Sequence, residues 1–91
     1  MQTNEEEQMI KRGDNAEVLL GTDAFTDTIN TMVESTFQAF CNTKPDETET
    51  RERTYSHYRA LVDIVSTLQQ QVSVRNEINA KNERDNNEEV E

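Results

Sequence analysis

Apolar residues recur through the middle of this chain at helical spacing. Phe25, Ile29, Met32, Val33 and Phe40 fall on one stripe of a helical wheel, with Phe37 at its edge, while Asp23, Asp27, Asn30, Glu34 and Gln38 fall opposite. That is the period of an amphipathic helix, not the period of two that marks a strand. The pattern predicts a helix over about 23–42, with Asp23 or Thr22 accepting from its first free N–H groups and Gly21 marking the turn before it. Thr26, Thr28, Thr31 and Thr36 lower its intrinsic propensity, so burial has to hold it in place.

Asn42-Thr43-Lys44-Pro45 interrupts the pattern, because proline lacks an N–H and disfavours helix in the residue before it. Asp46 stands three residues before Glu49, the spacing of a capping box. Glu47–Arg51 and Glu49–Arg53 are i, i+4 pairs in the favourable order, each contributing about 0.2–0.5 kcal/mol. A second helix is therefore predicted over about 47–74, extending at most to 81. Its stripe is Tyr55, Tyr58, Leu61, Val62, Val65, Leu68 and Val72, and from Tyr58 onward the spacing alternates three and four, the seam of a helix pair. The seam fails at Arg75. Two helices joined by a short connection pack antiparallel, so the expected fold is all-α, an antiparallel two-helix hairpin over residues 18–80.

The ends read differently. Residues 1–17 and 81–91 are acidic and poor in apolar side chains, with Glu5-Glu6-Glu7 in one and Glu88-Glu89 in the other, and are expected to be flexible tails. The hairpin leaves apolar groups over. Ile64, Val74 and Ile78 form a second, weaker line expected to face away from Tyr58 and Leu61, and Val18, Leu19 and Leu20 precede the first helix. A core this small supplies only about 3–5 kcal/mol. These residues are therefore expected to meet another copy of the chain or a larger assembly, with Ile64, Val74, Ile78, Leu19 and Leu20 as the external contact.

Charge narrows the partners. The 91 residues carry 19 acids against 9 Lys and Arg, a net charge of -10, which argues against binding a nucleic-acid backbone or an anionic membrane. No apolar run approaches the ~20 residues of a membrane span, and the acidic N-terminus is unlike a signal peptide, so the expected location is a cytoplasm. Arg51, Arg53 and Arg59 form the one basic cluster. Each has an acid one turn away, which makes it a salt-bridged surface, although Arg53 remains available to dock a partner's acids.

Chemistry is thin. Cys41 is the only cysteine and His57 the only histidine, so neither a disulfide nor a zinc site of these ligands is expected. As a nucleophile and base they lack any accompanying oxyanion loop, and alkylation of Cys41 is expected to leave function intact. No calcium loop, H-E-x-x-H or phosphate-binding glycine loop occurs. The expectation is a non-enzymatic protein with no cofactor and no metal.

Asp23-Ala24-Phe25, the stretch Thr43-Lys44-Pro45-Asp46-Glu47-Thr48-Glu49-Thr50-Arg51-Glu52, and the helix led by Tyr55 with Leu61, Leu68 and Val72 carry a resemblance. Together they resemble a loose family of short helical-hairpin proteins encoded in tailed-bacteriophage genomes, associated with heads, connectors or packaging. Where such proteins end the second helix in a Gly-Lys-like stop, this chain has Glu77-Ile78-Asn79-Ala80-Lys81. The resemblance implies a small phage structural or assembly protein, in the host cytoplasm or the virion, that oligomerises or docks on phage structural proteins. It brings no catalytic residues. The alternative is an acidic DNA mimic or inhibitor of a host protein, also of phage origin.

Overall fold

The computed structural model describes the backbone of residues 3–90 and the side chains of residues 3–87. It is all-α with three helices rather than two: α1 (Asn4–Leu20), α2 (Asp23–Cys41) and α3 (Thr48–Val90). Within the expected tails, residues 1, 2 and 91 and the side chains of Glu88 and Glu89 lie outside the described residues.

The first correction is α1, which occupies what composition assigns to a tail. Thr3, in extended backbone, is its N-cap: the Glu6 N–H donates to Thr3 Oγ1 at 3.0 Å, and the Thr3 hydroxyl donates to Glu6 Oε1 at 3.4 Å. Glu5, Glu6 and Glu7 fill the first turn, where carboxylates are favoured by the exposed N–H groups of a helix start. The helix closes at Gly21, whose N–H donates to the Glu17 carbonyl at 3.0 Å.

α2 begins after Thr22 and ends at Cys41, within a residue of the expected span. Its threonines are reconciled with a helix by bonding backwards: Thr28 donates to the Ala24 carbonyl at 2.7 Å, Thr31 to Asp27 at 2.8 Å and Thr36 to Val33 at 2.8 Å.

The turn into α3 is built by Glu47 and Arg51 rather than by an Asp46–Glu49 box. The Lys44 N–H donates to Glu47 Oε1 at 2.8 Å, and the Arg51 N–H opens the helix by donating to the Glu47 carbonyl at 3.0 Å. The Arg51 guanidinium reaches back to the carbonyls of Lys44 (3.0 Å) and Pro45 (3.3 Å). The two remaining i, i+4 pairs are present on exposed surface, Glu49–Arg53 at 3.8 Å and Arg59–Asp63 at 3.2 Å. The second correction is the length of α3, which continues past Arg75 to Val90.

Packing divides the chain into two units, and α3 supplies a segment to each. One spans Thr22–Ser66 and is the hairpin of α2 with the first part of α3. The other joins α1 to α3 from Thr67 onward. Leu68 and Val72 thus belong with α1 and not, as the seam implied, with the hairpin. Burial is slight in both. Ala16, 2% exposed, and Leu61, 7% exposed, are the only buried hydrophobic residues among those described.

In the α1 unit the close approach is at Gly13. A β-carbon there would collide with the Arg75 β-carbon, and would lie 2.8 Å from the Gln71 carbonyl oxygen and 3.1 Å from Arg75 Cγ. Arg75 lies flat over α1 and is only 12% exposed at its side chain. The residue at which the apolar seam breaks off is therefore the one on which α1 docks. Val74 and Ile78 are half-buried in this unit, so α1 provides part of the cover that a two-helix hairpin lacks.

Candidate interaction surface

Arg75 organises the α1 unit. Its Nη1 donates to Asp14 Oδ1 and Glu17 Oε2, both at 3.0 Å, and its Nη2 to Glu17 Oε1 at 3.0 Å, so Glu17 is held by a two-pronged fork. Nε and Nη2 also donate to Asn76 Oδ1, at 3.2 and 2.9 Å. The hydrogen bonds from Arg75, and then its charge, hold the Glu17 carboxyl below its ordinary value of 4.5. The Arg75 guanidinium is correspondingly pushed up, by its bonds to Glu17 first and Asp14 second. This cluster is a clasp between two helices with its acids open to water, and composition alone gave no sign of it. The signal that would have found it is the Met9, Gly13, Ala16, Leu20 spacing of four, three and four, in which two of the four seam positions are small. Beside it, Met9, Arg12, Thr67, Gln70, Gln71 and Val74 line a cavity of about 240 Å³.

The Thr22–Ser66 hairpin holds the larger open surface. Phe25, Ile29, Val33, Thr54, Val62 and Val65 are half-buried, and Leu61 alone is buried. Met32, Phe37, Phe40, Tyr55, Tyr58 and Ile64 are exposed, at 37–59%. Two openings show where the contact is incomplete. Met32, Thr31, Ser35 and Thr36 of α2 face His57, Ala60 and Leu61 of α3 across a cavity of about 480 Å³. Phe40 faces Arg51, Glu52, Tyr55 and Ser56 across another of about 470 Å³.

The expected contact residues are thus spread over both units. Ile64 is on the hairpin, 46% exposed, and sits about 60° around α3 from Leu61, beside it rather than opposite. Arg53, also on the hairpin, is exposed and paired only loosely with Glu49. Leu19, 39% exposed, and the half-buried Leu20 close α1, in the same unit as Val74 and Ile78. The structure does not bring these six residues together on one face of one unit. Phe40, Tyr55 and Tyr58, expected from sequence in the intramolecular seam, and Phe37, expected at its edge, are the largest apolar groups left open.

His57 lines a cavity with Thr31, Met32, Ser35 and Thr36, whereas Cys41 is exposed at the end of α2, five residues beyond Thr36 and not in that lining. Among the described residues, no three His, Cys, Asp or Glu side chains gather where they would hold a metal ion, and no helix is long and apolar enough to cross a membrane. Comparison with protein-family models, with curated proteins and with solved structures yields no match.

Proposed function

We propose that this chain is a non-enzymatic assembly module, a small structural or assembly protein of a bacteriophage, that oligomerises or docks on a larger particle through its helix faces. The observation that carries the reading is the exposure of the hairpin's apolar residues: two helices rich in Phe, Tyr, Met and Ile bury only Leu61 among the described residues. Apolar surface left in contiguous patches is removed from water by association. The phage origin rests on the resemblance of Asp23-Ala24-Phe25, the Thr43–Glu52 stretch and the Tyr55 helix to short phage hairpin proteins. Analytical ultracentrifugation of the purified chain at micromolar concentration is the test, followed by co-sedimentation with particles of the encoding phage. A discrete oligomer or co-sedimentation supports the reading. A well-folded 10.5 kDa monomer that ignores the particles overturns it.

One observation favours a second reading, an acidic mimic of DNA that inhibits a host protein. A mimic needs its carboxylates on ordered backbone, and Glu5, Glu6 and Glu7 sit on a helix rather than on a tail. This reading requires salt-sensitive competition with DNA for one enzyme.

A further inference from the structure

We propose that a second copy of this chain docks on the aromatic flank of the α2–α3 hairpin, with α2 of each copy lying along α3 of the other. The proposal rests on the self-association read above and specifies its interface.

The flank is defined by helix geometry. At about 100° per residue, Phe40 and Phe37 lie about 40° and 100° around α2 from Thr36, and Tyr58 and Tyr55 lie about 60° and 120° around α3 from Leu61, in the same sense. In an antiparallel pair, rotation in the same sense leads to the same side. Phe40 and Tyr55 line one cavity, which joins the two pairs into a single patch. Met32 and Ile64 lie in the opposite sense, on the other flank. The patch holds four of the chain's five aromatic residues.

Its size fits a partner of this kind. An aromatic side chain carries about 150–250 Å². At exposures of 59% (Phe37), 40% (Phe40), 55% (Tyr55) and 37% (Tyr58) the four leave on the order of 400 Å² open. That equals the largest apolar patch of a typical monomer and about half of the ~800 Å² each partner contributes to a standard interface. The flanking Val33 and Val62, both half-buried, extend it.

Charge selects the arrangement. α2 carries Asp23, Asp27 and Glu34 and no basic residue, so two α2 helices laid side by side would set acids against acids. The facing stretch of α3 carries Arg51, Arg53 and Arg59 together with Glu49, Glu52 and Asp63, a balanced set that repels α2 less than a second α2 would. Within the hairpin Thr31, Met32, Ser35 and Thr36 share one cavity with His57, Ala60 and Leu61, and Glu34 and Arg59 fall inside those two facing spans. A twofold axis parallel to the helices keeps those spans opposite each other, so Glu34 of each copy meets Arg59 of the other at the rim of the aromatic patch. Arg59 is half exposed, and among the described residues its ion pair is with Asp63 at 3.2 Å.

The test is sedimentation equilibrium on the full chain and five variants, with circular dichroism confirming helix content. The wild type is expected to be a dimer. Phe37→Glu, at a mostly exposed site, should keep the helices and raise the dimer dissociation constant about thirtyfold or more, as loss of a central anchor does. Glu34→Arg and Arg59→Glu should each weaken the dimer, and the double exchange should restore it. A dimer that Phe37→Glu leaves intact, or a double exchange weaker than either single change, overturns the proposed interface. If instead Ile64→Glu disperses an oligomer that Phe37→Glu spares, the opposite flank is the contact and the assembly reading stands without this one. A wild-type monomer also overturns the proposed interface, and leaves the assembly reading to co-sedimentation.

Discussion

Replacing Gly13 with Ala sets two effects of opposite sign against each other. Gly13 has ordinary right-handed helical backbone, since no positive φ occurs among the described residues, so in an isolated helix alanine would gain about 1 kcal/mol. Against this, the new β-carbon would lie 2.8 Å from the Gln71 carbonyl oxygen, where ordinary contact begins at 3.4 Å. The obstacles are a main-chain oxygen and the β-carbon of Arg75, and no change of rotamer moves either. The helices must separate by at least the missing distance, which loosens the 3.0 Å fork from Arg75 to Glu17 and uncovers Ala16. Overpacking of this kind costs about 1–3 kcal/mol, and rigid obstacles place it at about 2–3. The net loss is about 1–2 kcal/mol, or a 5- to 30-fold rise in the population of undocked α1. Amide hydrogen exchange over residues 4–20 reads this directly, with α2 amides as the internal control. Unchanged or slower exchange in α1 would refute the reasoning, because helix propensity would then outweigh the contact.

The remaining predictions concern the same clasp and the hairpin core. Arg75→Lys keeps the charge but loses the fork, and Arg75→Met loses both, so protection of α1 should fall in that order; equal protection in all three would remove the clasp from the packing. Glu17 has a lowered folded pKa, so its contribution is fully present above 4.5 and is lost as the pH falls through the lowered value. NMR shifts of α1 amides should therefore report undocking on the acid side, and Glu17→Gln should abolish that step; a wild-type profile with no acid step contradicts the assignment. Leu61→Ala should destabilise the hairpin by about 2–3 kcal/mol in urea denaturation, the low end of the usual range because the Met32 cavity already adjoins the site. A negligible change would show that Leu61 holds no core.

The middle of the chain was legible because its signals are large side chains and a proline. The Phe25–Phe40 stripe placed α2 to within a residue, and Pro45 located the turn, although the groups that close it, Glu47 and Arg51, lie one turn apart in a way that a spacing rule for Asp46 does not anticipate. α1 was hidden because its seam is made by absence of bulk: Gly13 and Ala16 let another helix come near, and neither registers as hydrophobic patterning. Its acidic first turn also has the composition of a tail, whereas Thr3 three residues before Glu6 is the start signal of a helix. Arg75 marked an apparent end for the same reason, since a charged residue at a seam position reads as solvent-facing until its acids, 58 and 61 positions away, are known. For the surface, the sequence led to an expected surplus at Ile64, Val74, Ile78, Leu19 and Leu20, but Phe40, Tyr55 and Tyr58, expected in the interior, are exposed.

That long separation has a kinetic side. Residues of the hairpin meet across a six-residue connection, whereas α1 meets its seat across about sixty residues, Asp14 and Arg75 being 61 positions apart. Loop-closure entropy favours the near contact, which predicts that the hairpin forms first and α1 docks last. On a ribosome the sequence is harsher still: α1 emerges before its seat and waits, with Met9, Ile10 and Leu20 uncovered, until the stretch around Arg75 has been synthesised. The acids that begin α1 then keep that waiting segment in solution until its seat exists.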